Sequence, residues 1–404
     1  MEYKEYELGE LIEYRNEKLL IENVSLENYI STENLLPNRS GKQNAEKLPN
    51  TKSVKKYYEN DILISNIRPY FKKIWQAEIP GGASNDVLIL NSCSNKVTND
   101  YLYYYLSQDK FFDYMTQTAK GTKMPRGDKK AILDYEIKVP NIKHIQNYIV
   151  NLGKNIDKKI ETNKKIIANL EELSQTLFKR WFVDFEFPDE NGNPYKSNGG
   201  EMVDSELGEI PKEWSIQTLN DISESYNTKR KPLSKLEREK VTSIYPYYGA
   251  TKIIDYVDDY LFDGKFILVG EDGTVQTEEG HPFVQYVWGK FWVSNHAHIL
   301  KGNNLSDETL MLILNNIDIE PYITGAVQPK ISKKNLNGIK VIIGTKLIYE
   351  KFDQYSDIYY KKIREISEEI KNLIELRDTL LPKLMSGEME IPDDIEVNED
   401  ELSI

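Results

Sequence analysis

Residues 121–140 read GTKMPRGDKKAILDYEIKVP, and residues 325–344 read GAVQPKISKKNLNGIKVIIG. Each stretch starts with Gly, has Pro four positions later, continues with a Lys-Lys pair and then contains Ile-Lys-Val. The two stretches, called the basic phrases below, lie about half the chain apart, and this long-period recurrence predicts a duplicated architecture. Because there are only two copies, the pattern favours a tandem pair of domains over a solenoid.

Each copy is predicted to open with a mixed α/β part. Apolar, β-branched runs bounded by Gly, Asn and Pro are typical of strands. These runs are DILISNI (61–67), DVLIL (86–90), FILVG (266–270) and FVQYVWGKFWVS (283–294). A helical stretch precedes each basic phrase, NDYLYYYLSQDKFFDYM (99–115) in the first copy and SDETLMLILNNI (306–317) in the second.

Each copy is predicted to end in one long helix. Apolar residues recur at three- and four-residue spacing and the other faces are rich in Lys and Glu, which is typical of a coiled-coil seam. A pseudo-two-fold axis between the copies would pair the two helices antiparallel, and Asn163 would then be a polar residue within the seam. The alternative is that each helix packs on its own domain. The predicted seam residues are Ile156, Ile160, Asn163, Ile167, Leu170, Leu173 and Leu177, and, at an offset of 203 or close to it, Ile363, Ile366, Ile370, Leu373, Leu376, Leu380 and Leu384.

The predicted fold class is therefore α+β, a tandem pseudo-two-fold repeat of two mixed α/β domains, each followed by a long helix, with the helices paired as an antiparallel coiled coil. Pro188 is expected to end the first helix, and an acidic, solvated linker rich in Gly and Asn follows it. The predicted segments are a first domain at 1–142, a helix at 143–187, the linker at 188–210, a second domain at 211–345, a helix at 346–387 and an acidic tail at 388–404.

The formal charge of −13 is concentrated in two short segments. Residues 184–209 and 388–404 each contain eight acidic side chains, with Lys196 as the one basic residue among them. The rest of the chain is close to neutral, so net charge does not exclude a nucleic-acid partner. The single Cys93 fits a reducing, cytoplasmic compartment. The polar N-terminus does not resemble a signal peptide, and no apolar run is long enough to cross a membrane.

Catalytic motifs are mostly missing from the sequence. It contains no phosphate-binding G-x-x-x-x-G-K-[ST] loop, no G-x-G-x-x-G loop and no methyltransferase signature, which favours a chain that is not an enzyme. One metal hypothesis stays open, because His296 and His298 share a strand face at positions i and i+2, and His281 could join them. The alternative is that these are ordinary strand histidines, or that one lies near a DNA backbone.

The basic phrases are better candidates for a binding site. Gly and Pro place them on loops, where backbone N–H groups and cationic side chains reach phosphates; solvated surface is the alternative. Aromatic and basic residues also interleave elsewhere, which suits contact with phosphates and base edges. The predicted DNA contacts are Arg68, Tyr70, Lys72, Lys73, Lys120, Lys123, Arg126, Lys129, Lys130, Lys229, Arg230, Lys231, Tyr248, Lys252, Lys330, Lys333 and Lys334.

Four longer stretches carry a resemblance to a known family. They are IETNKKIIANLEELSQTLFKRWFVDF (160–185), LGEIPKEWSIQTLNDI (207–222), YPYYGATKIIDYVDDYLFDGKFILVGEDGTV (245–275) and LIELRDTLLPKLMSGEMEI (373–391). With them, nearly the whole chain resembles the DNA specificity subunits of type I restriction–modification systems. The first copy departs from the second where SNIRPYF (65–71) stands in the place of GEDGT (270–274).

The resemblance implies that each α/β part is a target recognition domain that reads one half of a split, asymmetric site on double-stranded DNA. It also implies that the helices are spacers that dock two methyltransferase subunits, with a restriction/translocase subunit as a further possible partner. S-adenosylmethionine, ATP and Mg would then belong to the partners, and this chain would be non-catalytic, cytoplasmic and associated with the nucleoid.

The spacer length and the docking residues can be stated as expectations. From Ile156 to Trp181 there are 26 residues, or roughly 39 Å of helix at ~1.5 Å per residue, close to the rise of one DNA turn. Trp181 and Phe182 are predicted docking anchors, unless they pack against the chain's own domain. The competing hypotheses are a duplicated coiled-coil protein-interaction scaffold without DNA binding, and a metal-dependent enzyme centred on His296 and His298.

Overall fold

The computed structural model describes residues 2–325 and 327–391 of the 404-residue chain. These residues form two compact units, one made of residues 2–164 and 368–391 and the other of residues 165–367. Each unit contains one α/β domain and one part of each of two long helices. The acidic tail beyond Ile391, predicted from the sequence, lies outside the described residues.

The first domain consists of short strands and helices, and the helical stretch at 99–115 is broken into two helices at residues 107–108. Its strands are β1 (Tyr3–Glu7), β2 (Ile12–Tyr14), β3 (Lys18–Leu20), β4 (Tyr29–Ile30), β5 (Ser53–Tyr57), β6 (Ile62–Ser65), β7 (Ile74–Gln76), β8 (Gly81–Ala83), β9 (Val87–Ser92) and β10 (Glu136–Pro140). Its helices are α1 (Asn99–Leu106), α2 (Asp109–Gln117) and α3 (Lys129–Leu133), and the long helix α4 (Lys143–Phe178) follows them.

A central four-stranded sheet, in the order β2-β9-β6-β7, divides the first domain into two cores. Successive side chains of a strand point to opposite faces, so Ile62 and Ile64 of β6 pack towards the helices, whereas Leu63 packs towards the second sheet. All four residues of β6 are buried, which explains why this strand reads as a continuous apolar run rather than an alternating one. The second sheet has the order β3-β5-β8-β4.

The second domain repeats this plan after the linker, which itself contains the hairpin of β11 (Met202–Ser205) and β12 (Gly208–Pro211). Its strands are β13 (Ser215–Thr218), β14 (Ser223–Ser225), β15 (Tyr245–Tyr248), β16 (Ile253–Val257), β17 (Phe262–Asp263), β18 (Phe266–Gly270), β19 (Val284–Val287), β20 (Lys290–Val293), β21 (Ala297–Gly302) and β22 (Lys340–Ile343). Its helices are α5 (Leu219–Ile222), α6 (Lys235–Arg238), α7 (Asp307–Leu314) and α8 (Lys333–Asn337), followed by the long helix α9 (Lys346–Ser386).

The two domains share one sheet and differ in the other. The central sheet of the second domain, β14-β21-β18-β19, matches that of the first strand by strand. In each second sheet, one strand, β8 or β20, has neighbours on both sides. One neighbour is antiparallel, β5 beside β8 and β17 beside β20, and the other is parallel, β4 beside β8 and β15 beside β20. The fourth strand is then added at opposite edges, since β3 pairs with β5 in the first domain but β16 pairs with β15 in the second.

Both basic phrases have the same local structure. Each forms a tight loop, then a short helix that begins at the Lys-Lys pair, then a strand. The side chain of Asp128 caps α3 by accepting from the Lys130 N–H, and that of Ser332 caps α8 by accepting from the Asn335 N–H. The phrase ends as β10 or β22, which pairs antiparallel with the first strand of the same domain. Each domain is therefore closed by its own basic phrase.

The two long helices run antiparallel in each unit, as predicted. In the first unit, Arg377 of α9 pairs with Asp157 of α4 at 2.7 Å, while Glu369, further back along α9, accepts from the Asn163 side chain at 2.9 Å. Asn163 is only 1 % exposed, so its amide is the polar contact that the sequence led us to expect within the helix pair. In the second unit, the ring of Phe182 stacks on Tyr349 at a centroid distance of 4.9 Å, and Phe178 contacts Phe352 at 5.8 Å.

The prediction of the seam was wrong at two equivalent positions. Leu173 and Leu376 are both 47 % exposed, although the other twelve predicted seam residues are all buried or half-buried. A helix with 3.6 residues per turn drifts relative to a strict 3.5-residue pattern, and the buried stripe has moved one position on, to Ser174 at 0 % exposure. The seam leucines therefore point partly to solvent at the same place in both copies.

The end of the first helix also differs from the expected 143–187. Helix α4 ends at Phe178 and continues as a π-helical turn, Lys179–Val183, before Phe185 adopts a positive φ of 60° that no helix accommodates. The linker is more than solvated chain, because Ile210 of its hairpin is buried in the core of the second unit.

Candidate nucleic-acid interface

Three loops of the first domain meet where β6 ends and β9 begins. The first is residues 65–68 and the second is residues 84–86. The third is residues 120–126, which include the start of the basic phrase; Lys120 and Arg126 exchange two backbone hydrogen bonds of 2.8 and 2.9 Å. The Arg68 N–H donates to the Pro125 carbonyl at 2.8 Å, and the Asn66 N–H donates to the Asp86 carbonyl at 2.9 Å. Backbone hydrogen bonds thus join the three loops into one structural frame. We call these three loops the reading frame of the domain, in a sense that has no connection with codons.

Two arginines project from this frame. The guanidinium Nη2 of Arg126 lies 3.3 Å from Asp86 Oδ1, and the side chains are 53 % and 39 % exposed. Arg68 is exposed and has a left-handed backbone with φ of 51°. Among the described residues, no side-chain hydrogen bond or ion pair holds the Arg68 guanidinium. One arginine is therefore paired with a carboxylate, and the guanidinium of the other has no such partner among the described residues.

A buried lysine supports the second loop from behind. The Lys55 ammonium donates to the carbonyls of Asn85 and Val87 at 3.0 and 2.7 Å, and the residue is 8 % exposed. Burial lowers the pKa of Lys55 to about 8, and the positive charges of Lys129 and Lys18 add to the effect. The position of Asp86 is thus fixed through its neighbours on both sides.

The second domain has the same reading frame with different side chains. Lys330 and Thr324 exchange backbone hydrogen bonds of 2.8 Å, the Gly273 N–H donates to Pro329, and the Glu271 N–H donates to His296. Gly121 and Gly325 occupy equivalent turn positions with φ of +93° and +89°, a conformation that favours glycine. The recurrence of Gly in the two phrases therefore has a backbone cause.

Histidine and carboxylate groups line the frame of the second domain. His296 Nδ1 lies 2.7 Å from Asp272 Oδ1, and the His296 side chain is 50 % exposed. Behind it, His298 is 1 % exposed; its Nε2 lies 2.8 Å from the Ile331 carbonyl and its Nδ1 lies 2.8 Å from the Asn227 amide nitrogen. These partners fix a neutral imidazole with the proton on Nε2, and burial lowers the pKa of His298.

The family model of the "type I restriction modification DNA specificity domain" matches residues 1–172 and 211–375. The chain belongs to this family. Curated relatives include the type I restriction enzyme MjaIX specificity subunit of Methanocaldococcus jannaschii, 25 % identical over 73 % of this chain and 70 % of the relative. Another is the HindI specificity subunit of Haemophilus influenzae, 22 % identical over 96 % of this chain and 100 % of the relative.

A solved structure supports the fold of this specificity subunit. The crystal structure of a type I restriction–modification S subunit from M. genitalium aligns with a TM-score of 0.55 and 17 % identity, covering 97 % of both chains. The resemblance inferred from the sequence motifs is confirmed, and so is DNA recognition as the function of the chain. Within the described residues, no helix is long and apolar enough to span a membrane.

The predicted DNA contacts of the specificity subunit fall into two groups. Most are exposed, although several also have partners: Lys120 pairs with Asp128, and Lys330 lies 3.3 Å from Glu271. The exposed members are Arg68, Tyr70, Lys120, Lys123, Arg126, Lys129, Lys130, Lys229, Lys231, Lys252, Lys330, Lys333 and Lys334. Contact with DNA stays a prediction for all of them.

The remaining predicted contacts are half-buried and occupied by internal bonds. Arg230 is 17 % exposed and bonds to Glu271 at 2.7 Å and to the Ala297 carbonyl at 2.8 Å, so it holds the reading frame together. Lys73 donates to the Thr32 carbonyl at 2.6 Å, and Lys72 lies 2.7 Å from Asp109. Tyr248 packs edge-on against Phe291. In this structure these side chains stabilise loops.

The predicted docking anchors Trp181 and Phe182 lie in the core of the second unit. Both are 6 % exposed. Trp181 contacts Phe352 at a centroid distance of 5.7 Å, and Phe182 stacks on Tyr349. Their contacts are those of the alternative considered from the sequence, packing against the chain's own domain. A role in docking stays a prediction. Because both rings are buried, they expose little surface that a partner could contact.

The histidines of the metal hypothesis do not meet at one site. Nδ1 of His281 lies 2.9 Å from the Ile317 carbonyl, while His298 uses both ring nitrogens for hydrogen bonds within the fold. Among residues 2–325 and 327–391, no group of three or more His, Cys, Asp or Glu side chains is arranged to hold a metal ion.

Sequence reasoning missed three residues of the reading frames, namely Asp86, Asp272 and Lys55, and it considered His296 as a metal ligand or as a histidine near a DNA backbone. A signal for Asp86 and His296 was present, because SND (84–86) and SNH (294–296) align in the repeat and differ only in the last residue. The two motifs thus keep the backbone frame and change one side chain. No comparable signal for Lys55 was present in the sequence, since its burial depends on the distant loop around Asn85 whose carbonyl accepts from its ammonium group.

Proposed function

We propose that this specificity subunit reads a bipartite, asymmetric site on double-stranded DNA, with one half-site for each domain. The observation that carries the proposal is that two equivalent backbone frames present different side chains. Arg68, Asp86 and Arg126 in the first domain correspond to Gly273, His296 and Lys330 in the second. Because base discrimination comes from side chains that reach base edges, equal frames with unequal side chains favour two unrelated half-site sequences.

The exposed lysines of the basic phrases supply the affinity in this proposal. Lys123, Lys129 and Lys130 surround the first frame, and Lys333 and Lys334 stand beside the second. Such side chains neutralise phosphates and release counterions, which makes binding strongly dependent on salt. The acidic net charge of −13 does not oppose this, because in the sequence it is concentrated in the linker and the tail, outside the basic phrases.

The long helices are proposed to set the half-site spacing and to dock two copies of a methyltransferase subunit. Leu173 and Leu376 are equivalent positions on the two helices, and both are 47 % exposed. An exposed apolar side chain at the same place in each repeat suits one partner binding twice, whereas Trp181 and Phe182 are buried. A restriction/translocase subunit would be a further partner.

The chain is proposed to be non-catalytic. S-adenosylmethionine, ATP and Mg would then be bound by the partner subunits, and this chain would act inside the cell by directing them to DNA. The relatives carry names of restriction enzyme specificity subunits, which supports this division of labour.

Mapping of methylated adenines in host DNA, with and without the gene, tests the proposed function. The expected result is a split motif, with an unread gap, that is methylated in the parent strain and unmethylated after deletion. Restoring the gene should restore the motif. A methylation pattern that is unchanged by the deletion would refute DNA reading by this chain and favour the protein-interaction scaffold.

A further inference from the structure

Arginine is distributed unequally between the two reading frames. The second domain contains two arginines, Arg230 and Arg238, and both are held by carboxylates with side chains only 17 % and 15 % exposed. In the first domain, Arg15 and Arg39 are likewise paired and 20 % and 14 % exposed. The other two arginines of the first domain, Arg68 and Arg126, are exposed on its reading frame.

Arg126 has the geometry of a base reader rather than a phosphate clamp. Its backbone is fixed on both sides, by the hydrogen bonds to Lys120 and by a bridge to Ile67. Its side chain is held by Asp86 at 3.3 Å through one terminal nitrogen, which leaves the rest of the fork exposed. The carboxylate beside the guanidinium repels a phosphate but not a neutral base edge, and the ion pair restricts the positions that the fork can take.

Guanine is the base that matches this group. Its major-groove edge presents two acceptors, O6 and N7, and a guanidinium donates to both at once. Holding the fork in place before binding reduces the conformational entropy lost on contact. Lysine, as at the equivalent Lys330, has no such planar fork and acts as a point charge.

We propose that the half-site read by the first domain contains a guanine contacted by Arg126, with Asp86 as the positioning residue. The inference rests on the proposed function and adds the chemistry of one half-site. The second domain has no free arginine on its frame, so its half-site is read by a different set of groups, in which His296 and Asp272 take the place of the arginine–carboxylate pair.

The test uses the complete methyltransferase complex with variant specificity subunits, first in the host and then on duplexes that contain the mapped motif. Arg126→Gln is expected to relax one G·C position in one half of the motif, with about a 10- to 100-fold loss of discrimination, while the other half is read as before. Replacing that guanine with 7-deazaguanine, which lacks the N7 acceptor, should weaken binding by the parent complex but not by the Arg126→Gln complex.

Two further variants separate reading from charge and from structure. Asp86→Asn removes a negative charge near DNA, so overall affinity should hold or rise while discrimination at the same G·C position falls. Lys123→Gln, on the same loop, should weaken binding to all sequences and reduce the salt slope by about one unit, with an unchanged motif. The intact second half-site serves as the folding control in every case.

Several outcomes would overturn the inference while leaving the proposed function standing. The first is a split motif that depends on the gene but contains no G·C pair in the half affected by substitutions of the first domain. The second is a motif that Arg126→Gln leaves unchanged. The third is that Arg68→Gln, and not Arg126→Gln, relaxes the discrimination at the G·C position. If no motif depends on the gene at all, the proposed function itself fails.

Discussion

The two domains of this specificity subunit are alike where they meet the long helices and unlike where they face solvent. Their central sheets have the same strand order, and Leu88 and Leu90 of β9 occupy the places of His298 and Leu300 of β21. Their second sheets add the fourth strand at opposite edges. The central sheet therefore behaves as a constant support and the second sheet as the variable part.

The reading frames lie at the boundary between these two regions. Their backbone hydrogen bonds are conserved between the domains, from Asn66–Asp86 in one to Glu271–His296 in the other. The side chains they carry are not. A duplicated protein can change what it reads in this way without rebuilding the loops, because the frame depends on backbone groups that every residue except proline supplies.

The largest effect is expected from the two ends of the helix pair, where aromatic residues in the second unit correspond to aliphatic ones in the first. Trp181 and its equivalent Leu384 are 6 % and 4 % exposed in their own cores. Trp181→Ala is expected to cost about 3–5 kcal/mol and Leu384→Ala about 2–5 kcal/mol of unfolding free energy. Hydrogen exchange on the isolated subunit should locate each loss in its own unit.

The same pair of variants decides between core packing and docking for Trp181. If Trp181→Ala leaves the isolated subunit as stable as the parent and only prevents assembly with the methyltransferase, the assignment of Trp181 to the core is wrong.

The next largest effect is expected on methyltransferase binding, at the exposed leucine that stands at the same position in both copies. Leu173→Glu and Leu376→Glu are each expected to weaken binding of one methyltransferase copy by at least about tenfold, as for a residue at the centre of an interface. Mass measurement of the assembled complex should then show one copy in each single variant and, as proposed for the parent, two copies in the parent complex. The double variant should hold none.

Ile358→Glu is the matched control for these substitutions. Ile358 is 66 % exposed on α9, but its equivalent in the first copy is the polar Asn155, so it lacks the symmetry that a twice-bound partner requires. Loss of a methyltransferase copy from this variant, with full occupancy in Leu173→Glu, would reverse the assignment of the docking face.

The sequence predicted the central strands and the long helices from local periodicity, and the duplication from motifs that recur about half the chain apart. The antiparallel pairing followed from the pseudo-two-fold axis that such a duplication implies. The run at 266–270 became β18 without a shift, and Asn163 was correctly placed inside the helix pair. The exposure of Leu173 could not be predicted, since it depends on how far the helix drifts over several turns. The pairing of Arg230 with Glu271 is likewise a tertiary contact across 41 positions that no local pattern encodes.

The smallest effect expected is a difference in pH dependence between the two central sheets. His298 is neutral in the fold and its pKa lies below the ordinary value, chiefly because of burial, whereas the equivalent Leu88 does not titrate. As pH falls below about 6.5, the unfolded chain takes up a proton that the folded chain refuses, so the second unit loses stability until the folded pKa is reached. Above that range the contribution is fully present.

Hydrogen exchange at pH 7.5 and 5.5 should therefore show a loss of protection in β21 that β9 does not share. His298→Leu, which copies the first domain, should remove this difference in pH dependence. At pH 7.5 it should also cost about 1–3 kcal/mol, because the buried Ile331 carbonyl and the Asn227 amide lose a partner. The cost should be smaller at pH 5.5, where the parent has already lost part of its stability. An unchanged pH dependence in the variant would mean that another group titrates, and the contrast between β9 and β21 would then have to be sought in the carboxylates around Glu271.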